Sequence, residues 1–286
     1  MIFLTGSTGF LGKNILNKLA SFNLPVCCSY RGKLPSKLTN VTYIKADFTA
    51  PSLPTDIFKG CSIIIHCAGL IKGGRRQLME DNYLATKRII ESAISIGCVK
   101  KIIYISSIDV LLLDTLYAQS KRLAEESVKT SGLNWIIVRP SLIFGKEDKK
   151  NVGLLNSIIK KHLVIPLPSS GNFMWEPAFV DDLADYILKF VQNNSSENMT
   201  FNVVGPEKIS FKEIIHVLSD YNKTRALTIP IPGYLMKAMK FVFITIFGKS
   251  RYDNVFSSFQ DKIISENNNS EKVFLKTKLK DVYFSV

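Results

Sequence analysis

The amino-acid sequence predicts an α/β fold in which a doubly wound parallel sheet is followed by a smaller, discontinuous lobe. Two observations support this prediction. Short apolar segments alternate with helical segments through the first half of the chain, as in strand–helix–strand units. The chain also begins with a strand-like segment that leads straight into a glycine-rich loop and a helix. Predicted strands cover residues 1–5, 25–30, 41–45, 62–67, 101–106 and 134–138.

The predicted helices between these strands have recognisable ends. We expect helices to begin after Gly9, near Leu78 and near Leu116. The helix from about residue 82 to residue 96 should end at Gly97, because glycine accepts the left-handed backbone of a helix C-cap.

Composition limits the classes of function. With 286 residues, of which 46% are hydrophobic, the chain can bury a substantial core. The net charge of +13 suits an anionic small substrate, an anionic membrane surface or a nucleic acid. Because the lysines are scattered and are not interleaved with aromatic residues, we expect no nucleic-acid partner.

The cysteines and the start of the chain favour a cytoplasmic location. All five cysteines lie in apolar segments without Cys-x-x-Cys spacing, so we expect small buried side chains and no metal site. The first residues already belong to a predicted strand, which argues against a signal peptide.

The glycine-rich loop predicts a dinucleotide site. Three glycines with the spacing Gly-x-x-Gly-x-x-Gly stand between the first strand and the first helix. Such a loop lets the backbone approach a pyrophosphate, whose charge the helix N-terminus favours. The candidate cofactor-binding residues of this loop are Gly6, Thr8, Gly9, Phe10, Leu11 and Gly12.

A tyrosine and a lysine predict the chemistry. Tyr117 and Lys121 stand four residues apart on a predicted helix and therefore share one of its faces. The ammonium group can lower the pKa of the phenol, so that Tyr117 passes a proton to or from a carbinol oxygen. A nicotinamide dinucleotide beside such a tyrosine indicates hydride transfer at a carbon–oxygen bond.

These motifs, with others in the same order, resemble the extended short-chain dehydrogenase/reductase family, which includes NAD-dependent epimerases and dehydratases of nucleotide sugars. The resemblance covers nearly the whole chain and implies a Rossmann-like fold. It is carried by residues 5–12, 47–48, 66–69, 82, 106–107, 117–121, 139–141, 144–145 and 180–182.

The resemblance implies a role for each matching residue. Ser107 is expected to hydrogen-bond the reacting oxygen, Tyr117 to act as acid or base, and Lys121 to hold the nicotinamide ribose. The other implied cofactor contacts are Asp47 and Phe48 at the adenine, Ala68 and Gly69 after the fourth strand, and Pro140 near the nicotinamide.

The family pattern also divides the chain. Residues 1–145 form the predicted NAD(P)-binding domain, to which some later segments return, and residues 146–286 form most of a substrate-binding lobe. One departure lies in the first part. Only nine residues separate Ser107 from Tyr117, and they are mostly apolar, so the family's sugar contacts from this loop are not expected here.

Four of the residues that match the family pattern can also be explained by a purely structural role. His66 is interpreted as a packed strand residue, because no second histidine or carboxylate stands at metal-ligand spacing. Asn82 resembles the asparagine that orders the active-site helix, and an ordinary polar helix position is the alternative. For Asp181 and Asp182, capping of a helix N-terminus is a sufficient explanation.

The choice between NAD and NADP depends on the end of the second strand. An acidic residue there binds the ribose 2′-hydroxyl of NAD, whereas an arginine accommodates the 2′-phosphate of NADP. The segment from Ser29 to Lys33 contains Arg31 and no acid. Arg31 can clasp a phosphate through two hydrogen bonds, which predicts NADP. NAD is the alternative, with Arg31 in solvent or against the adenine.

The leading hypothesis is an oxidoreductase that reduces the 4-keto group of a nucleoside-diphosphate sugar in polysaccharide biosynthesis, with Tyr117 as the proton donor. The alternatives are a nucleotide-sugar 4-epimerase with retained NAD and a non-catalytic dinucleotide-binding scaffold. The missing acid near Arg31 favours NADPH and net reduction. The presence of Ser107, Tyr117 and Lys121 together argues against the scaffold.

An apolar segment in the second half allows two interpretations. Residues 241–247, within 233–252, are apolar on every side, with basic residues before and after them. This segment is too short to span a bilayer, which takes ~20 apolar residues. Packing within the lobe or in a homodimer interface is favoured, and peripheral membrane contact is the alternative.

Overall fold

An eight-stranded parallel sheet forms the centre of the molecule, seen in a computed structural model that describes residues 1–54, 56–161, 164–193, 197–232, 234–235, 245, 260–264 and 270–284. The strands are β1 (Ile2–Thr5), β2 (Val26–Tyr30), β3 (Val41–Lys45), β4 (Ile63–His66), β5 (Lys101–Ile105), β6 (Asn134–Pro140), β7 (Ile143–Phe144), β8 (Val164–Pro168), β9 (Met174–Trp175), β10 (Ala178–Phe179), β11 (Met199–Val204), β12 (Ile209–Ser210), β13 (Leu227–Ile231) and β14 (Glu271–Phe274). The order in the large sheet is β14-β11-β6-β5-β4-β1-β2-β3.

Helices connect and cover the strands. They are α1 (Phe10–Ser21), α2 (Arg75–Leu78), α3 (Ala85–Ile96), α4 (Asp109–Leu112), α5 (Leu116–Lys129), α6 (Val152–Lys160), α7 (Val180–Gln192), α8 (Phe211–Tyr221) and α9 (Leu279–Phe284). A π-helical turn, Met79–Leu84, joins α2 to α3. Such turns are rare and frequently mark functional sites.

Both faces of the large sheet are buried, as expected for parallel strands. Alternate residues of β1 point into two separate cores, with Leu4 in one and Phe3 in the other. Helices α1 and α7 cover the Leu4 side, and α3 and α5 cover the Phe3 side. The phenyl ring of Phe3 packs edge-on against Phe58 with ring centroids 4.7 Å apart.

The smaller lobe has its own core. Helices α6, α8 and α9 surround it, together with the strand pairs β8–β13 and β9–β12. Phe173 stacks on Phe211 at a centroid distance of 5.0 Å, and Trp175 packs against both rings. This aromatic cluster joins β9 to the first turn of α8.

The sheet topology places the candidate site. Strand order reverses between β1 and β4, and ligands of open parallel sheets bind at the carboxyl ends of the strands beside such a reversal. The glycine-rich loop follows β1, Ala68 follows β4 and Ser107 follows β5. The folded chain therefore brings the predicted cofactor and catalytic residues to one edge of the sheet.

The structure confirms the predicted fold class, and its strands agree with the predicted ones to within a few residues. Gly97 caps α3 with a φ of +74°, as predicted. Helix α7 and strands β11 and β14 come from the second half of the chain and pack with the large sheet. The apolar segment 241–247 lies outside the described residues, apart from Thr245. Among the described residues, no helix is long and apolar enough to cross a membrane.

Candidate active site

The glycine-rich loop has the close backbone packing that a pyrophosphate cradle needs. Gly6 adopts a φ of +71°, and a Cβ there would lie 2.6 Å from the Ala68 nitrogen. A Cβ on Gly12 would overlap the Gly6 carbonyl oxygen. The Gly9 nitrogen donates to that oxygen at 2.9 Å, and helix α1 begins at the next residue. Side chains at Gly6 and Gly12 would collide with the protein backbone, so glycine is needed for this tight turn, and the residues present fit the pyrophosphate of a dinucleotide.

The other predicted cofactor-binding residues of the glycine-rich loop differ in their exposure to solvent. Thr8 is exposed beside the cradle. Phe10 is half-buried, and Leu11 is buried in the core. Leu11 can therefore serve a pyrophosphate only through its backbone at the start of α1.

A hydrogen-bond chain connects this loop to the helix behind it. The Ala68 nitrogen donates to the Thr5 hydroxyl at 3.1 Å, and that hydroxyl lies 2.7 Å from His66 Nδ1. His66 Nε2 lies 2.9 Å from the Thr86 hydroxyl, which donates to the Asn82 carbonyl. Because the Thr86 proton is used in this way, Nε2 carries the imidazole proton and Nδ1 accepts from Thr5.

His66 is therefore a neutral, buried strand residue. Burial is the main cause that lowers its pKa from 6.5 to about 3, and the charge of Lys121 adds to the effect. The structure therefore places His66 as a packed strand residue between Thr5 and Thr86. Within the described part of the chain, no three potential metal ligands cluster.

Asn82 holds the active-site helix against the loop after β4. It lies in the π-helical turn, and its amide pairs with both backbone groups of Leu70, at 2.7 and 2.8 Å. The same amide donates to the Ser120 hydroxyl at 2.9 Å, which in turn donates to the Tyr117 carbonyl. Asn82 thus fixes the first turn of α5, as the family resemblance implied.

Lys121 is buried behind the site. Its ammonium donates to the Ile105 carbonyl at 2.7 Å and lies 4.2 Å from the centroid of the Tyr104 ring. Burial lowers its pKa to about 8. A Cβ built on Gly69 would lie 3.9 Å from this ammonium, so Gly69 leaves space beside it.

Tyr117 and Ser107 meet at the carboxyl end of β5, but the electrostatics differ from the expectation. The pKa of Tyr117 is raised, first by burial and then by the charge of Asp109, while a hydrogen bond with Ser107 lowers it. The sequence predicted a pKa lowered by Lys121. That prediction was wrong for this structure, because the ammonium is engaged by Ile105 and Tyr104 and the phenol is poorly solvated.

The adenine end contains acids that the sequence around Arg31 did not reveal. Arg31 Nη1 donates to Asp81 at 3.0 Å and lies 3.9 Å from Asp47. The side chain of Arg31 nevertheless remains 61% exposed. Hydrogen bonds from Thr49 lower the pKa of Asp47. A cavity of about 370 Å³ opens beside this group, lined by Thr49, Gly74, Arg76, Gln77, Glu80 and Asp81.

The two remaining predicted cofactor residues are buried. Phe48 packs against Phe3 in the core, and its carbonyl accepts from Arg88 at 3.3 Å. Pro140 ends β6, and its carbonyl accepts from Ile108 at 3.1 Å. Only the backbone of Phe48 and the edge of Pro140 are therefore available to a dinucleotide.

A sequence model of the NAD dependent epimerase/dehydratase family matches residues 2–205. The chain belongs to this family. It is 25% identical to a UDP-glucose 4-epimerase of Vibrio cholerae over 87% of the chain and 83% of that protein. It is 26% identical to a ceramide reductase of Caulobacter vibrioides over 82% of the chain and 75% of that protein. The solved structure of MoeE5 with UDP-glucuronic acid and NAD superposes with a TM-score of 0.77, at 16% identity, over 99% of this chain and 96% of MoeE5.

Membership of the epimerase/dehydratase family confirms the resemblance and the enzyme type predicted from the motifs. The structure also shows what sequence reasoning missed. Asp81 is distant from Arg31 in the sequence, and Lys262 pairs with Asp109 across the chain. No spacing rule connects residues that meet only after folding.

The predicted helix-capping role of Asp181 and Asp182 is wrong. Neither Asp181 nor Asp182 caps α7, whose N-cap residue is Phe179 without a side-chain hydrogen bond. Asp182 instead accepts from the backbone nitrogens of residues 276 and 277, which lie just after β14. Arg139 is structural, because it forms a buried, two-bond ion pair with Glu125.

Proposed function

We propose that the protein reduces the keto group of a nucleotide-activated sugar, with C4 as the reacting carbon and Tyr117 as the proton donor. The observation that carries this proposal is the meeting of Tyr117 and Ser107 beside a glycine-rich loop of the kind that binds the pyrophosphate of a dinucleotide. The family and its nucleotide-sugar members support the choice of substrate. A nicotinamide dinucleotide supplies the hydride when it is bound.

The residues perform three tasks in this proposal. Ser107 hydrogen-bonds the reacting oxygen and orients it toward the phenol. Tyr117 gives its proton to that oxygen as the carbinol forms. Lys121 holds the ribose of the dinucleotide.

The test is turnover of nucleoside-diphosphate 4-keto sugars with NADPH or NADH, followed by mass spectrometry of the products. Tyr117→Phe removes only the transferable proton and should lower kcat by about 10²- to 10⁴-fold, with cofactor binding near normal. Tyr221→Phe, on helix α8 in the smaller lobe, is the matched control and should leave kcat unchanged. Wild-type turnover by Tyr117→Phe would contradict the assignment.

We propose NADPH as the preferred reductant, supported by the exposed guanidinium of Arg31 at the end of β2. Asp81 orients this group through Nη1 and also opposes a phosphate by its charge. Arg31→Asp should reverse or abolish the preference, and Asp81→Asn should strengthen it. Fluorescence titration of both dinucleotides measures this. Equal or tighter NADH binding by the wild type would remove the proposed role of Arg31.

A 4-epimerase is the second candidate. The similarity to a UDP-glucose 4-epimerase and the carboxylates around Arg31 favour it. An epimerase interconverts two sugars without net consumption of the dinucleotide, whereas a reductase consumes one dinucleotide per product. Purification with NAD already bound would favour the epimerase. A protein that binds dinucleotide but changes no nucleotide sugar would instead be a scaffold.

Location and further partners stay predictions. We propose a cytoplasmic enzyme whose segment 233–252 packs in the lobe or in a homodimer interface, with membrane contact as the alternative. Sedimentation with anionic vesicles at low and high salt separates these cases. Salt-sensitive pelleting that Phe243→Ser and Phe247→Ser abolish in a folded protein would support the membrane alternative.

A further inference from the structure

An ion pair joins the smaller lobe to the loop that carries Ser107. Lys262 Nζ lies 2.9 Å from Asp109 Oδ1, and the two side chains are only 12% and 14% exposed. Asp109 begins the short helix α4, and its backbone nitrogen donates to the Ser107 hydroxyl at 3.2 Å. The pair therefore lies next to the catalytic serine. Its low exposure makes it stronger than a surface ion pair.

Hydrogen bonds to β9 of the smaller lobe hold Lys262 in position. Its backbone nitrogen donates to the Met174 carbonyl in β9 at 2.9 Å. In return, the Met174 nitrogen donates to the Asp261 carboxylate at 2.7 Å. The Trp175 indole donates to the Gln260 carbonyl at 3.1 Å. These bonds fix residues 260–262 to β9, so Lys262 reaches Asp109 only when this segment is docked.

Asp109 acts on Tyr117 through its charge. After burial, this carboxylate is the next largest cause of the raised pKa of Tyr117. A carboxylate paired with a lysine disturbs a nearby phenol less than an unpaired one. The titratable or charged groups around Tyr117 are Asp109 from α4, Cys67 after β4, Tyr104 from β5 and Lys121 on its own helix.

We propose that Lys262 is a positioning residue of this active site, which the smaller lobe delivers to neutralise Asp109 beside Tyr117. This inference rests on the proposed function, in which Tyr117 gives up a proton. A docked segment makes Tyr117 the better proton donor, since its phenolate then faces less negative charge. Loss of Lys262 leaves Asp109 uncompensated next to the phenol.

The test uses the enzyme with dinucleotide bound, three single variants and one double variant. Lys262→Met keeps the aliphatic stem, Lys262→Arg keeps the charge, and Asp109→Asn keeps the shape of the acid. The first readout is the pH at which kcat for reduction falls on the alkaline side. The second is the ionisation of Tyr117 in NMR spectra of ring-labelled tyrosine, assigned with Tyr117→Phe, which needs no substrate.

We expect Lys262→Met to raise the ionisation pH of Tyr117 by about one unit, and Asp109→Asn to lower it. Lys262→Arg should match the wild type, and the double variant Lys262→Met/Asp109→Asn should fall between the two single variants, because it lacks both charges. A purely structural role predicts lower stability without these shifts, and unchanged ionisation in folded variants would overturn the inference. If Lys262→Met does not fold, Lys262→Gln, which also removes the charge and keeps a polar end, takes its place with the same expected rise.

The two readouts separate this inference from the proposed function. A shifted Tyr117 ionisation without turnover of any nucleotide sugar would uphold the role of Lys262 and contradict the substrate. Turnover of a 4-keto sugar with no shift in either readout would support the substrate and contradict the role of Lys262.

Discussion

Acid should destabilise this protein through one histidine. His66 is buried and neutral, with a pKa of about 3 against 6.5 for a free histidine. In the unfolded chain, the same side chain takes up a proton as the pH falls below 6.5. The stability that neutral His66 contributes is therefore complete above pH 6.5 and is lost as the pH falls toward 3.

The magnitude follows from the two pKa values. A pH of 5 lies 1.5 units below the pKa of the unfolded histidine, which is therefore protonated. The folded histidine is still neutral at this pH. Each unit is worth about 1.4 kcal/mol, so the free energy of unfolding should fall by about 2 kcal/mol between pH 7.5 and pH 5. This figure depends little on the folded pKa, since any value well below 5 gives the same result.

Urea denaturation at the two pH values measures the effect. His66→Gln cannot take up a proton and should lose about 2 kcal/mol less than the wild type on acidification. His216→Gln, an exposed histidine of α8, is the matched control and should keep the wild-type loss. The comparison concerns the change with pH, so a lower overall stability of His66→Gln does not affect it. Equal losses in the wild type and in His66→Gln would refute the reasoning.

Two further predictions concern packing. Glu125→Leu leaves Arg139 buried and unpaired, so the free energy of unfolding measured by chemical denaturation should fall by about 3–5 kcal/mol. Adding Arg139→Met should restore much of this loss. Equal stability of the single and double variants would contradict this explanation. Gly12→Ala places a Cβ on the Gly6 carbonyl and should abolish dinucleotide binding in calorimetry, whereas Gly32→Ala, where a Cβ meets nothing within 4 Å, should bind normally. Normal binding by Gly12→Ala would show that the cradle is not tight.

The sequence predicted those parts of the molecule that depend on local pattern. Gly97 ends α3 because only its own backbone conformation matters, and the glycine spacing 6-9-12 places the cradle because the loop is contiguous. The predicted catalytic residues Ser107, Tyr117 and Lys121 came from a family pattern in the sequence, and the structure places all three at the carboxyl end of β5.

The electrostatics of the site could not be predicted in the same way. Tyr117 was expected to have a lowered pKa because Lys121 is four residues away, yet the lysine points to Ile105 and the opposing charge comes from Asp109. The sequence around Arg31 predicted that no acidic side chain lies near it, yet Asp81 of the π-helical turn forms an ion pair with it. A pKa depends on every group within several ångströms, and most of these groups are distant in sequence.

The position of β14 has a consequence for synthesis of the protein on the ribosome. Strands β1 to β6 are synthesised in an order that lets each strand pair with a neighbour early. Strand β11, in contrast, pairs with β14, which begins about seventy residues later in the chain. Until then β11 is the open edge of a growing sheet, with backbone groups able to pair with another nascent chain. A chain cut short before Glu271 would keep the glycine-rich loop and Tyr117 and still carry this open edge. Truncation should therefore show first as aggregation during expression.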